Sequence, residues 1–226
     1  MSATAEPASR RAHVAEKRFC RDPFPRRGWY PPAMDPLIPK VAVILAIVAL
    51  IAIRAPHGHR SRLVKVATSY KGTVEVLLLV LAWVGFIVPV LWLTTSALDG
   101  AEYPLHRATF AAGVACLVSG LWMFHRSHKD LGTNWSITLE VREQHVLVTE
   151  GVYRHVRHPM YTALFLYSIG LALILPNWIA GPSYLTAFTV LFAFRIGAEE
   201  RMMRATFGQQ YADYEARTKR LIPSVW

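Results

Sequence analysis

Cysteine is nearly missing from this chain. Cys20 and Cys116 are the two present, and no CxxC pair occurs. Cys116 sits in an apolar run and Cys20 in a polar tail, so neither a disulfide framework nor a cysteine metal site is expected. There is no glycine-rich nucleotide fingerprint; Gly151 is a lone glycine that a turn explains. Acidic residues are scarce, 15 Asp and Glu against 25 Lys and Arg, for a net charge of +10. Residues 1–36 do not read as a signal peptide, since no short apolar core with a small-residue cleavage site lies among them.

Apolar sequence is what the chain has in abundance. Hydrophobic residues make up 53% of its 226 positions and come in long blocks. Blocks of that kind point to an all-α polytopic membrane protein rather than a large soluble core. The basic excess would suit nucleic acid. Here, however, the Lys and Arg lie in loops beside the apolar blocks, as membrane topology requires, so no nucleic-acid partner is expected.

Five spans are expected, at roughly Leu37–Ile53, Thr73–Leu98, Pro104–Phe124, Met160–Leu175 and Ser183–Ile196. The last two fall short of the ~20 residues that cross a bilayer comfortably. Ala42, Ala46, Ala49 and Ala52 in the first span suggest a small-residue face for helix packing, as do Ala111, Ala115 and Ser119 in the third. Pro89 is expected to kink the second span, and Pro176-Asn177-Trp178 with Gly181-Pro182 to make a tight turn. The chain thus divides into a disordered basic tail (1–36), three spans (37–124) and a C-terminal region with two more (125–226).

Loop charge sets the orientation. Arg54–Gly72 and His125–His158 each hold five Lys or Arg, and the segment from Arg195 onward holds six. All three fall on one side of a five-span protein, the cytoplasmic side. The eight Lys and Arg up to Lys40 then break the rule. A start of translation at Met34, removing seven of them, is one expectation; translocation of the charged tail is the other.

Chemistry-bearing residues gather on that cytoplasmic side. His145 to Tyr161 reads HVLVTEGVYRHVRHPMY, a basic, aromatic knot at the mouth of the fourth span. Arg195 and Glu199 are four apart and share a helix face, while Glu200 points about 100° away. An ordinary helix-end ion pair explains them singly, but ionisable groups at that depth usually serve function. His155 and His158 are spaced i, i+3 with no carboxylate at ligand spacing, so no metal is expected.

The string His145-x-Leu147-Val148-Thr149-x-Gly151-x-Tyr153-x-x-x-Arg157-His158-Pro159-x-Tyr161 resembles the isoprenylcysteine carboxyl methyltransferase family of integral membrane methyltransferases, which is related to phospholipid methyltransferases. Arg195-x-x-x-Glu199-Glu200, Phe207-Gly208-x-x-Tyr211-x-x-Tyr214 and Arg220-x-Ile222-Pro223 continue the likeness, which covers about residues 125–223. The resemblance implies S-adenosylmethionine as cofactor. It implies that His145, Val146, Leu147 and Val148 line the cofactor pocket, largely through backbone, and that Tyr153, the block from His158 through Pro159 to Tyr161, and Glu199 contact the cofactor. It sets Arg195 toward the methyl acceptor. A polar contact upstream falls on Thr138, Glu140 or neither. The first two spans carry no signature of the family.

The residue chemistry agrees with that reading. Glu199 can bind an ammonium or ribose hydroxyls, Arg157 or His158 a carboxylate, and Tyr153 and Tyr161 can pack on adenine or lie near a sulfonium. In-line methyl transfer needs alignment and desolvation more than a strong base. A carboxylate or thiolate acceptor needs only orientation, which Arg195 can give. A neutral amine or hydroxyl needs a base, for which Glu200 or His158 can serve. The expected partners are membrane lipids and a lipophilic or lipidated acceptor, entering from the bilayer. A nicotinamide-dependent membrane reductase on a related scaffold and a non-enzymatic membrane subunit are the alternatives.

Overall fold

A computed structural model describes residues 34–62, 66–69, 72–132, 138, 140–142 and 146–225. The basic tail, residues 1–33, and His145 lie outside the described residues. Helix α1 is Leu37–Arg62, α2 Thr73–Thr94, α3 Arg107–Leu131, α4 Pro159–Ile174, α5 Ala180–Phe207 and α6 Gln209–Arg217. Strands β1 (Val66–Ser69) and β2 (Glu140–Arg142) pair antiparallel. That ladder ties the α1–α2 connection to the segment after α3. It escaped the sequence reading because three or four residues show no usable alternation.

Among the described residues, three helices are long and apolar enough to cross a membrane: Leu37–Gly58, Thr73–Thr94 and Arg107–Leu131. The α4 helix is apolar but has only 16 residues, about 24 Å at the α-helical rise. The α5 helix runs on past Ile196, where the fifth span was expected to end, through Glu199 and Glu200 to Phe207. The chain is a membrane protein in which nearly all the regular structure is helical.

Close packing rather than apolar attraction must hold such helices together, because lipid tails are as apolar as the side chains. The α3–α4 contact shows how. A Cβ on Gly113 would come within 2.5 Å of Ile174 Cγ2, and one on Gly120 within 2.8 Å of the Tyr167 backbone nitrogen. The small-residue face is therefore Gly113 and Gly120, with Leu117 and Phe124 buried beside them. Ala111, Ala115 and Ser119, expected to form it, are exposed on the other side. On α1 the buried row is Val43, Ala46 and Leu50, so only part of the alanine stripe packs, and Ala52 is exposed.

The turn between α4 and α5 also differs from expectation. Gly181 and Pro182 belong to the first turn of α5, where a proline's missing N–H costs nothing. The turn itself is organised by the fully buried Asn177. Its Oδ1 accepts from Ile179 N at 3.0 Å and Ala180 N at 2.9 Å, capping α5, and its Nδ2 donates to Leu98 O at 2.7 Å. Nearby, Trp92 is buried and donates to Glu102 at 3.0 Å, with Lys40 over its ring. Trp83, by contrast, is 58% exposed.

Candidate functional site

A cavity of about 900 Å³ opens between α1, α2, α4 and α5, within the size range of small-molecule sites. Its two ends differ in chemistry. One is apolar, with Leu79, Ala82, Trp83 and Phe86 from α2 facing Phe188 and Leu191 from α5. The other is polar, with Thr138, Glu140, the 146–148 segment, Arg157, His158, Glu199 and two C-terminal tyrosines. Val146, Leu147, Val148, Tyr153, Arg157, His158, Pro159, Tyr161, Arg195 and Glu199 all line it. Glu200 does not.

The polar end is laced together by the C-terminal tail. Arg157 N donates to Lys219 O at 2.7 Å and His158 N to Arg220 O at 3.0 Å. Thr162 Oγ1 donates to Leu221 O at 2.8 Å, pinning the tail to the first turn of α4. Pro159 opens α4, where its fixed φ suits the helix start. The Arg157 side chain, 7% exposed, reaches Glu200 Oε1 at 3.1 Å, Glu215 O at 3.2 Å and Thr218 O.

Glu200, one of the two groups named as able to serve as a base, is tied into an ion cluster behind the cavity wall. Arg220 grips it through Nε at 3.0 Å and Nη2 at 2.7 Å, in addition to Arg157. Burial pushes its carboxyl up, but His158, Arg220 and Arg157 outweigh that and hold it well below the usual range. A carboxylate held anionic by two guanidinium groups is a poor proton acceptor. Its geometry is that of a clamp between α5, the α4 entrance and the tail.

Glu199, one position earlier, faces the cavity. It accepts from Tyr161 Oη at 2.6 Å, with His158 Nδ1 at 3.6 Å and Arg195 Nε at 3.7 Å. Burial raises its carboxyl, yet the bond and charge of His158, with Arg195 and Tyr161, bring it down to about 2. Both glutamates lie beyond the apolar stretch of α5. His158 sits between them: burial lowers its pKa, but the two carboxylates more than offset this and leave it raised.

Two groups at the site hold capacity in reserve. Tyr211 Oη is buried, lines the cavity, and has no hydrogen-bond partner among the described residues. Buried hydroxyls are normally satisfied, so one left open beside a cavity fits a ligand contact. Arg195, whose side chain is 10% exposed, likewise donates no hydrogen bond to the described residues; carboxylates approach it at 3.6 and 3.7 Å.

Backbone around Tyr153 is set by α3. Gly151 has φ +62°, and a Cβ there would fall 2.1 Å from Asp130 Oδ2. That same oxygen accepts from Val152 N at 3.0 Å, capping the short turn Gly151–Arg154. Tyr214 Oη then donates to Tyr153 O at 2.6 Å. Glycine at 151 thus answers both a left-handed backbone and an absence of room.

Residues 113–205 match the profile of the isoprenylcysteine carboxyl methyltransferase (ICMT) family. The chain resembles this family. It is 42% identical over 96 residues to a protein-S-isoprenylcysteine O-methyltransferase of Tribolium castaneum, covering 42% of this chain and 34% of the relative. An Arabidopsis thaliana relative, protein-S-isoprenylcysteine O-methyltransferase B, is 35% identical over 96 residues, covering 42% and 49%. A Dictyostelium discoideum relative named protein-S-isoprenylcysteine O-methyltransferase is 33% identical over 115 residues, covering 50% and 48%. The chain thus spans a third to a half of the length of these ICMT relatives. A solved structure, of the eukaryotic intramembrane Ras methyltransferase ICMT, superposes with a TM-score of 0.47 at 32% identity, over 66% of this chain and 52% of that one.

The sequence reading missed the apolar end. Leu50 and Ile51 of α1 and the α2 residues lie outside the ICMT-like stretch, and only the helix pairing reveals them. Tyr211 and Tyr214 were in view as pattern, without a role. Their spacing of three within an aromatic pair was the available signal.

Proposed function

We propose that this protein is an S-adenosylmethionine-dependent methyltransferase acting on the carboxylate of a lipophilic acceptor of the S-prenylcysteine class. The observation that carries the reading is the two-ended cavity: one continuous space joins a polar end with open hydrogen-bonding groups to an apolar end made by membrane helices. The ICMT-like stretch supplies the polar end, and the names of the relatives supply the acceptor class.

The residues present fit the cofactor. Leu147 and Val148 line the cavity outside any helix or strand and with no hydrogen bond to a described residue, leaving peptide groups for an adenosine. Glu199, held anionic, would take the ammonium or ribose hydroxyls, and Tyr211 Oη a further polar atom. Arg157 and His158 belong to the wall near the carboxylate but are occupied by Glu200 and Glu199. S-adenosylmethionine, when bound, supplies an electrophilic methyl group. Arg195 orients the acceptor carboxylate from the middle of the cavity. Phe86, Phe188 and Leu191 take its chain and exclude water, which strengthens the charge interactions inside. No base is required, since the acceptor is already anionic. Glu200 acts as a positioning residue.

The reading also orients the protein with five membrane-inserted helices, the polar end facing the cytoplasm and the 125–226 region forming the catalytic part. Calorimetry on protein in nanodiscs tests the cofactor, with S-adenosylmethionine expected to bind and Glu199→Ala to abolish binding. Incubation with labelled S-adenosylmethionine and N-acetyl-S-farnesylcysteine is expected to yield a base-labile methyl ester. Binding of a nicotinamide nucleotide instead would make the protein a reductase. Label on a thiol or lipid amine, with none on the carboxylate, would replace the acceptor class.

A further inference from the structure

Arg195 is held from its far side by a residue that belongs to no part of the ICMT-like stretch. Glu75, in the first turn of α2, is 7% exposed and brings Oε1 to 3.6 Å from Arg195 Nη1. The profile match begins at residue 113. Glu75 is not among the cavity-lining residues, so it backs the arginine rather than facing a ligand.

The helix register explains how it arrives there. A Cβ on Gly85 would lie 2.5 Å from Ala187 Cβ and 2.9 Å from Ser183 O, and Ser183 Oγ donates to Gly85 O at 3.0 Å. The absence of a side chain at Gly85 lets α2 and α5 touch at that level. From there the helices run antiparallel, since lower numbers on α2 meet higher numbers on α5. Ten residues back from Gly85 is Glu75, and about ten on from the Ser183–Ala187 level is Arg195. Each step covers about 15 Å at the α-helical rise. One close contact thereby sets the other.

Arg195 consequently stands between two carboxylates at nearly equal reach, Glu75 at 3.6 Å and Glu199 at 3.7 Å. Neither approach is a hydrogen bond, and Arg195 makes none with a described residue. Glu199 is its i, i+4 neighbour on α5, a partner that helix spacing brings within reach. Without an opposing carboxylate, Arg195 would close on Glu199. That pair would occupy the acceptor's cation and the cofactor's anion together.

We propose that Glu75 is a positioning residue that draws Arg195 off Glu199, so that the arginine stays open for the acceptor carboxylate and the glutamate for the cofactor. The proposal rests on the methyltransferase reading of the same cavity. It makes a residue of the unmatched N-terminal part necessary for a site built mainly by the matched part. A merely structural ion pair would affect folding. This one affects cofactor affinity from a position that does not touch the cavity, and only while Arg195 is present.

The test is a double-mutant cycle on nanodisc-embedded protein, read by calorimetry with S-adenosylmethionine and by acceptor KM with N-acetyl-S-farnesylcysteine. Glu75→Gln is expected to weaken cofactor binding about tenfold and to raise acceptor KM by a similar factor. In an Arg195→Gln background the same change is expected to leave cofactor affinity unaltered, because nothing remains to close on Glu199. If Glu75→Gln does not fold, Glu75→Asp replaces it, with an expected loss of about threefold that again vanishes in Arg195→Gln. Wild-type affinity and KM in the single variant overturn the proposal. An equal loss in both backgrounds overturns it too, since Glu75 would then act on the fold alone. If the wild type itself binds no S-adenosylmethionine, the cofactor reading fails, whereas normal wild-type binding with an inert Glu75 sinks only the positioning role.

Discussion

At the polar end of the cavity Arg157 uses its guanidinium on Glu200, Glu215 and Thr218, and its backbone is bonded to the C-terminal tail. At the apolar end Phe86 meets Tyr184 edge to face at 5.4 Å, and Leu79 and Ala82 offer only carbon. The two ends are built by opposite means. Charge networks fix side chains to tenths of an ångström but fail abruptly when one member is lost. Apolar walls tolerate substitution and accept a range of shapes. A cofactor of constant structure suits the first construction, and a flexible lipophilic chain suits the second.

Removing Arg157 should break the polar end most severely. Arg157→Ala leaves Glu200 with a missing partner in a buried cluster, a change that costs about 3–5 kcal/mol. Unfolding of the detergent-solubilised variant should show that loss, together with no measurable cofactor binding. Arg157→Lys should not restore it, because one ammonium cannot reach Glu200 and the Thr218 and Glu215 carbonyls at once. Stability near that of the wild type in Arg157→Ala would mean that Arg220 and Arg204 hold Glu200 unaided.

The turn carrying Tyr153 comes next in expected effect. Gly151→Ala places a methyl against Asp130 in a left-handed backbone, at a cost on the order of 1–3 kcal/mol. Cofactor affinity should fall with it, since Tyr153 and the 146–148 segment lie on either side. Pairing it with Asp130→Ala should recover part of the loss by making room, though the strained φ remains. No recovery in the double variant would mean that the clash is relieved elsewhere and that φ alone carries the cost.

Substitutions at the apolar end should separate the two constructions. Phe86→Ala is expected to raise the KM for a farnesylated acceptor about tenfold, or ~1.4 kcal/mol, and to leave cofactor affinity unchanged. An acceptor with a shorter apolar chain should lose less from the same change, because less of it reaches Phe86. Equal losses for long and short acceptors would place the chain elsewhere.

The unequal legibility of the two ends follows from the same contrast. A network of ion pairs and hydrogen bonds imposes residue types at fixed spacing, so Arg157-His158-Pro159-x-Tyr161 and Arg195-x-x-x-Glu199-Glu200 can be read directly. The apolar wall asks only for hydrophobic residues, and α2 contains little else. Nothing in Leu79, Ala82 or Phe86 distinguishes a cavity face from a lipid face until α5 is seen opposite. Glu75 stands as a lone charge in the first turn of α2, and its partner is 120 residues away. The packing faces failed for a related reason: alanine spacing on α3 was as regular as glycine spacing, and only the α4 partner decides between them. For Glu200, sequence gives its neighbour on the helix, not the Arg220 that arrives from the tail.

The subtlest expected effect concerns pH, and it isolates His158 from the arginines around it. His158 is raised in the fold by Glu199 and Glu200 against the opposing pull of burial. Its contribution to stability is complete below its unfolded pKa of about 6.5 and is lost as pH rises through the raised value. Glu199, held at about 2, and Glu200, held lower still, behave oppositely. Their contribution is complete above about 4.5 and is lost as pH falls through the folded values. Stability should therefore be flat between about 4.5 and 6.5 and decline on either side, gently on the alkaline limb because a single imidazolium is involved. Thermal unfolding of the solubilised protein across this range reads both limbs. His158→Gln, which keeps a donor but cannot ionise, should remove the alkaline limb and shrink the acid limb without abolishing it, since His158 is one of several groups that lower Glu199 and Glu200. An unchanged alkaline limb in that variant would show that His158 is neutral between its two carboxylates, with Arg157, Arg195 and Arg220 alone balancing them.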